Sequence, residues 1–181
     1  LAEAGQKEQV VSMVQTLSDF FRASLNSGKD IVSLEGECRH ITSYLQIQQV
    51  RYQDILTYDV DIPEEIANCK IPKITLQPLV ENALYHGIKN KRGKGRIVVT
   101  GRREKDKCVI RVEDNGIGMT KERLNQVRGG LTTKIEDSND FYGLYNVNER
   151  IRLKFGEGYG LSIDSVLQEG TCVEVWLPWE S

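Results

Sequence analysis

At Ile55 the spacing of apolar residues changes, which points to a fold that contains both helices and strands. Before it, apolar positions recur at three and four, the helical period; after it, short runs alternate in twos, the period of strands. Val10, Val14, Leu17, Phe21 and Leu25 form one helical stripe, which Asn26-Ser27-Gly28 is suited to end. Ser33 is placed to cap a second helix, with Glu35 and Glu37 in the first turn, where the helix dipole favours acids. Cys38, Ile41, Leu45 and Gln48 carry its stripe to about Asp54, so residues 1–54 read as a helical hairpin.

Residues 55–181 read as a second unit. A strand over Ile55 to Asp61 is closed by Pro63, and 64–72 is an irregular connection. A helix from Thr75 to about Lys89 follows. The strands Ile97 to Arg103 and Cys108 to Glu113 are joined as a hairpin through Glu104-Lys105-Asp106-Lys107. A short helix, Lys121 to Val127, leads into a polar, aperiodic stretch at 128–142 that reads as a mobile loop. Gly143 opens a helix to Phe155. Two last strands, Gly160 to Leu167 and Thr171 to Leu177, meet at Gln168-Glu169-Gly170, and Pro178 ends the second. The expected class is α+β: a two-layer α/β sandwich with helices on one face of a mostly antiparallel sheet, preceded by the helical segment.

Composition narrows the function. With 39% hydrophobic and 28% charged residues the chain is ordinary globular material, which excludes disordered and fibrous classes. A net charge of −2 excludes nucleic-acid binding driven by overall basicity. The stretch from Lys89 to Lys107 holds nine Lys or Arg against Glu104 and Asp106, but no aromatic residue interleaves it for base stacking, so no nucleic-acid partner is expected. No apolar run reaches the ~18 residues of a membrane span. Leu1 opens neither a signal peptide nor a natural start, so the chain reads as a soluble piece of something longer. Cys38, Cys69, Cys108 and Cys172 lie far apart, without metal-ligand spacing, and read as reduced, buried thiols.

Three groups of residues carry chemistry. In Leu76-Gln77-Pro78-Leu79-Val80-Glu81-Asn82-Ala83-Leu84-Tyr85-His86-Gly87, Asn82 and His86 stand four apart on one helix face. An amide oxygen suits Mg²⁺ and an imidazole can donate to a phosphate, although such a pair also serves as caps or surface residues. In Glu113-Asp114-Asn115-Gly116-Ile117-Gly118-Met119, a strand ends in a turn whose second glycine is more than turning requires. Two missing Cβ atoms let the backbone approach a flat ligand, and Asp114 can accept from an exocyclic amine. In Tyr142-Gly143-Leu144 a glycine opens a helix, a place where free N–H groups attract anions. Thr171, after Gly170, either serves strand propensity or adds a hydroxyl near the base.

In this order and spacing, the motifs resemble those of the GHKL ATP-binding superfamily, and more narrowly the catalytic domain of sensor histidine kinases. Asn82 matches the N box, Asp114 to Gly118 the first glycine box, Gly143-Leu144 the second and Gly170-Thr171 the last. The stretches Leu17 to Leu25 and Tyr44 to Tyr52 resemble the segment ahead of the catalytic domain in the LytS-like subclass. The resemblance implies the Bergerat ATP-binding fold, with ATP and Mg²⁺ as cofactors. Asn82 would ligate the metal. His86, with Lys89, would contact the phosphates. Asp114 would read the adenine amino group, Gly116 and Gly118 would give the ring room, and Thr171 would support Asp114. Gly143 and Leu144 would close the far side. Residues 119–142 would be the ATP lid, with Thr132, Thr133 and Lys134 folding over the triphosphate. The intact parent would be a bacterial homodimer, held at the membrane by upstream segments with this part in the cytoplasm. It would phosphorylate a histidine and pass the group to a response regulator.

Three departures qualify the resemblance. Where hydrolysing relatives place a glutamate four residues before the metal asparagine, this chain has Pro78, which cannot act as a base. The only histidines, His40 and His86, lack the flanking residues of a phospho-acceptor, which places the acceptor upstream of Leu1. The second glycine box holds a single glycine. The alternatives are a degenerate GHKL regulatory scaffold, a GHKL ATPase, against which Pro78 speaks, and an anti-sigma-type serine kinase, which has no helical stem.

Overall fold

A computed structural model describes residues 10, 11, 13–18, 30–52, 55–133 and 142–179. Residues 10, 11 and 13–18 are helical, and Thr16 Oγ1 donates to Gln46 Oε1 at 3.5 Å. The expected hairpin joint at Asn26-Ser27-Gly28 lies outside the described residues.

Strand β1 (Ile31–Ser33) leads directly into helix α1 (Leu34–Arg51). Ser33 is the N-cap: its hydroxyl accepts from the Gly36 N–H at 3.2 Å, and Glu35 and Glu37 occupy the first turn. The cap contributes about 1 kcal/mol, whereas each fully buried Leu or Ile contributes roughly 1.5–3 kcal/mol. Burial therefore decides where α1 lies. Leu34, Ile41 and Leu45 are completely buried, in the same core as the sheet. The packing thus runs straight across the division at residue 54 that the change of period suggests.

Five strands form the main sheet, in the order β2-β4-β5-β7-β6. They are β2 (Leu56–Asp61), β4 (Gly95–Glu104), β5 (Lys107–Asp114), β6 (Gly160–Val166) and β7 (Gly170–Pro178). Every pairing is antiparallel except that of β2 with β4. The inward positions Leu56, Ile97, Val99, Val112, Ile163, Val173 and Val175 are buried against the helices. On the other face Arg96 pairs with Asp59, and Arg102 with Glu104 and Glu174. This is the alternation of a sheet with one covered face.

The stretch 64–72 is more regular than its sequence suggests. It holds a 3₁₀ turn (Glu64–Ile66) and a strand β3 (Lys70–Pro72), which pairs antiparallel with β1. Three residues ending in proline carry too little periodicity to announce a strand. The expected helix from Thr75 divides into α2 (Leu76–Asn82) and a wider π-helical turn (Ala83–Ile88). Helix α3 (Lys121–Gly130), capped by Thr120, runs three residues into the expected loop, and α4 (Tyr142–Phe155) packs beside β6.

Candidate functional site

The apolar ends of β5, β7 and α2 leave a cavity of about 360 Å³ between sheet and helices. Its walls are chiefly apolar, with Leu79, Ala83, Val112, Met119, Leu144 and Val173 among them. Asn82, His86 and Asn90 enter from one side, Asp114 and Thr171 from the sheet, and Thr120 and Arg123 from the start of α3. A concave apolar site with a few convergent polar groups is the usual form of a small-molecule pocket.

The π-helical turn sits where these polar groups meet. The Lys89 N–H donates to Leu84 O, five residues back, and Asn90 Nδ2 donates to Tyr85 O and His86 O. Widened turns of this kind concentrate at functional sites. Asn90 continues the spacing of Asn82 and His86 by four, so the signal for it was present in the sequence. Arg123 carried no such signal, because only the docking of α3 brings it to the cavity. Lys89 does not line the cavity and stands over the Tyr85 ring instead.

Asp114 closes β5. Burial pushes its carboxyl up to about 6, against the lowering effect of the Gly116 and Thr171 N–H donors and the Lys91 charge. Gly116 N donates to Oδ1 at 2.8 Å. Thr171 is paired with Asp114 across β5 and β7 and supports it through the backbone N–H; its hydroxyl is joined to Ser165 Oγ at 2.9 Å.

The structure gives both glycines of this turn a backbone role beside the expected one of making room for a ring, and only Gly118 of the two lines the cavity. A Cβ on Gly116 would strike the backbone of Gly87. That close approach lets the Ile117 N–H donate to Gly87 O at 3.2 Å, tying the turn to the end of the π segment. Gly118 lines the cavity, but its φ is +62° and a Cβ would strike the Val166 carbonyl. Both are required by backbone packing around the cavity.

Leu144 is buried in the cavity wall, whereas Gly143 is exposed beside Pro78 and does not line it. Thr132 is exposed, with its hydroxyl on Gly129 O. Lys134 lies outside the described residues. Among the described residues no group of three or more His, Cys, Asp or Glu could hold a metal, and no helix is long and apolar enough to cross a membrane.

Comparisons with known proteins agree with this fold. The family model of histidine kinase-, DNA gyrase B- and HSP90-like ATPases matches residues 72–181, and the histidine kinase model matches residues 1–56. The chain is 37% identical over 98% of its length to sensor histidine kinase YesM of Bacillus subtilis. It is 33% identical over 96% of its length to sensor protein LytS of Staphylococcus saprophyticus. It spans 29% of each of these relatives. The histidine kinase domain of a blue-light activated kinase from Erythrobacter litoralis superposes with a TM-score of 0.60 at 15% identity, over 92% of this chain and 72% of that one. The five-stranded sheet, the helices on its one face and the matched residues 72–181 place the chain in the histidine kinase-, DNA gyrase B- and HSP90-like ATPase family, among the catalytic domains of sensor histidine kinases related to LytS.

Proposed function

We propose that the cavity binds Mg-ATP and presents the γ-phosphoryl group to a histidine. The observation that carries this reading is the convergence of Asn82, His86 and Asp114 on one cavity. A half-buried carboxylate amid apolar walls suits the exocyclic amine and flat faces of adenine. At the other end, Asn82 offers a hard oxygen that would hold Mg²⁺, with His86 beside it for phosphate oxygens. The metal, when bound, neutralises phosphate charge. Arg123 adds a cation on the α3 side.

The walls favour transfer over hydrolysis. Asp114 is the only carboxylate lining the cavity among the described residues. Pro78 has no titratable group, and Glu81 is outside the cavity, accepting from Gln77 Nε2 at 2.8 Å. With no cavity-lining carboxylate beside Asn82 to activate water among the described residues, the site works by positioning and charge neutralisation. The acceptor is a histidine other than His40 and His86. His40 is 4% exposed and bonded to Gln77, and His86 faces the nucleotide. In the parent protein the phosphoryl group then passes to an aspartate of a response regulator. That parent is a homodimer, anchored at the membrane through other segments.

Calorimetric titration with Mg-ATP tests the reading. The chain is expected to bind with a Kd in the micromolar range, about −8 kcal/mol, and both Asn82→Ala and Asp114→Ala to abolish detectable heat. Absence of binding by the unmodified chain, with both variants silent, would favour a regulatory scaffold.

A further inference from the structure

Helix α2 is capped by a residue from another helix. Thr75 stands at its N-cap, yet its backbone is already helical and its hydroxyl donates to Pro72 O at 2.6 Å, so it caps nothing. Glu37 of α1, 2% exposed, does so instead. Its Oε1 accepts from the Ile74 N–H at 2.7 Å, and its Oε2 from the N–H groups of Thr75 at 2.9 Å and Leu76 at 3.1 Å.

Ile74 has a φ of +58°, left-handed backbone that a β-branched residue adopts only when its surroundings impose it. Its carbonyl is held from the opposite side, where Arg150 Nη2 of α4 donates to it at 2.7 Å. Glu37 and Arg150 also attract one another electrostatically. Two helices thus grip a single strained residue immediately ahead of the helix that carries Asn82. The α1–α2 seam is joined again further on, where His40 Nε2 donates to Gln77 Oε1 at 2.6 Å.

We propose that Glu37 and Arg150 are positioning residues of the nucleotide site: by holding Ile74 left-handed they set where α2 begins, and with it the placement of Asn82 at the metal. The inference rests on the reading of Asn82 as the metal ligand. Neither residue lines the cavity, so they act only through α2. Asn82 ends a helix that begins at Leu76, about 9 Å away at about 1.5 Å rise per residue, so a shift of the first turn moves Asn82 with the helix. A ~1 Å error in a positioned group is costly to phosphoryl chemistry. The clamp also joins α1 and α4 to the same helix.

The test is titration of the chain with Mg-ATP and with metal-free ATP in chelator, for Glu37→Gln and Arg150→Gln, each alone and combined with Ile74→Gly. Each single variant is expected to weaken Mg-ATP by about tenfold while metal-free ATP changes less than about twofold. Ile74→Gly should restore most of the loss, because glycine holds this φ unaided. Equal losses with and without metal, no loss, or no rescue by glycine would each overturn the clamp. If Glu37→Gln does not fold, Arg150→Gln, on the exposed face of α4, gives the same readings. A wild-type chain that binds no ATP overturns the nucleotide reading itself; one whose Mg-ATP binding depends on Asn82 but not on the clamp overturns this inference alone.

Discussion

Asp114 gives the site a pH dependence with a definite sign. Its carboxyl titrates at about 6 in the folded chain, above the ordinary 3.8, because burial disfavours the charge. The stability penalty is therefore complete above about 6 and is relieved as the pH falls toward 4. Ligand affinity runs the other way, since an exocyclic amine donates best to the ionised form. Affinity for Mg-ADP is expected to be constant between about pH 7 and 8 and to fall as the pH drops through about 6, with Asp114→Asn flat across that range. Calorimetry at stepped pH decides it, and a wild-type affinity indifferent to pH counts against the adenine contact. Glycines separate in the same residue-by-residue way. Gly118→Ala places a Cβ on a left-handed backbone and against the Val166 carbonyl, and is expected to cost more than about 2 kcal/mol in urea unfolding. Gly129, with open space around its Cβ position in α3, is the contrast: Gly129→Ala is expected to stabilise by about 0.5–1 kcal/mol.

At the level of elements, the unit formed by α3, α4 and β6 is held by one buried side chain. Asn148, 4% exposed, donates through Nδ2 to Leu131 O at 2.8 Å and accepts at Oδ1 from the Leu161 N–H at 2.8 Å. Arg128 adds a bond to Ile163 O at 2.9 Å and an exposed pair with Asp164. Buried groups left unbonded cost about 1–3 kcal/mol each, exposed ion pairs ~0–1 kcal/mol. Asn148→Ala should thus destabilise by about 2–4 kcal/mol and raise hydrogen exchange along α3, while Asp164→Ala stays below about 1 kcal/mol. Equal effects of the two would show that the surface pair secures the C-terminal end of α3 as much as Asn148 does. The division of the Thr75–Lys89 helix belongs to this scale too. No period in the sequence marks the π turn; it accompanies the docking of Ile117 on Gly87.

For the whole molecule, the expectation is nucleotide binding without self-modification. Incubated with γ-labelled ATP, the chain should incorporate no label on histidine and release phosphate no faster than the Asn82→Ala variant. Label on His40 would mean that a buried histidine, bonded to Gln77, becomes exposed, and the assignment of the acceptor would fall. Steady phosphate release would return the chain to the ATPase reading despite Pro78.

Local chemistry was enough to reveal the Ser33 cap, the α1 stripe, the β4–β5 hairpin, the strand that ends in Asp114, and the four-residue spacing of Asn82 and His86, because caps, turns and periodicities act within a few residues. Asn90 was within reach of the same spacing argument. The pairing of β1 with β3, the exclusion of Lys89 and Gly143 from the cavity, the backbone role of Gly116 and the grip of Glu37 and Arg150 on Ile74 depend on atoms brought together from distant parts of the chain. Such contacts leave no periodic trace, since they follow from the way layers pack once the apolar faces are buried.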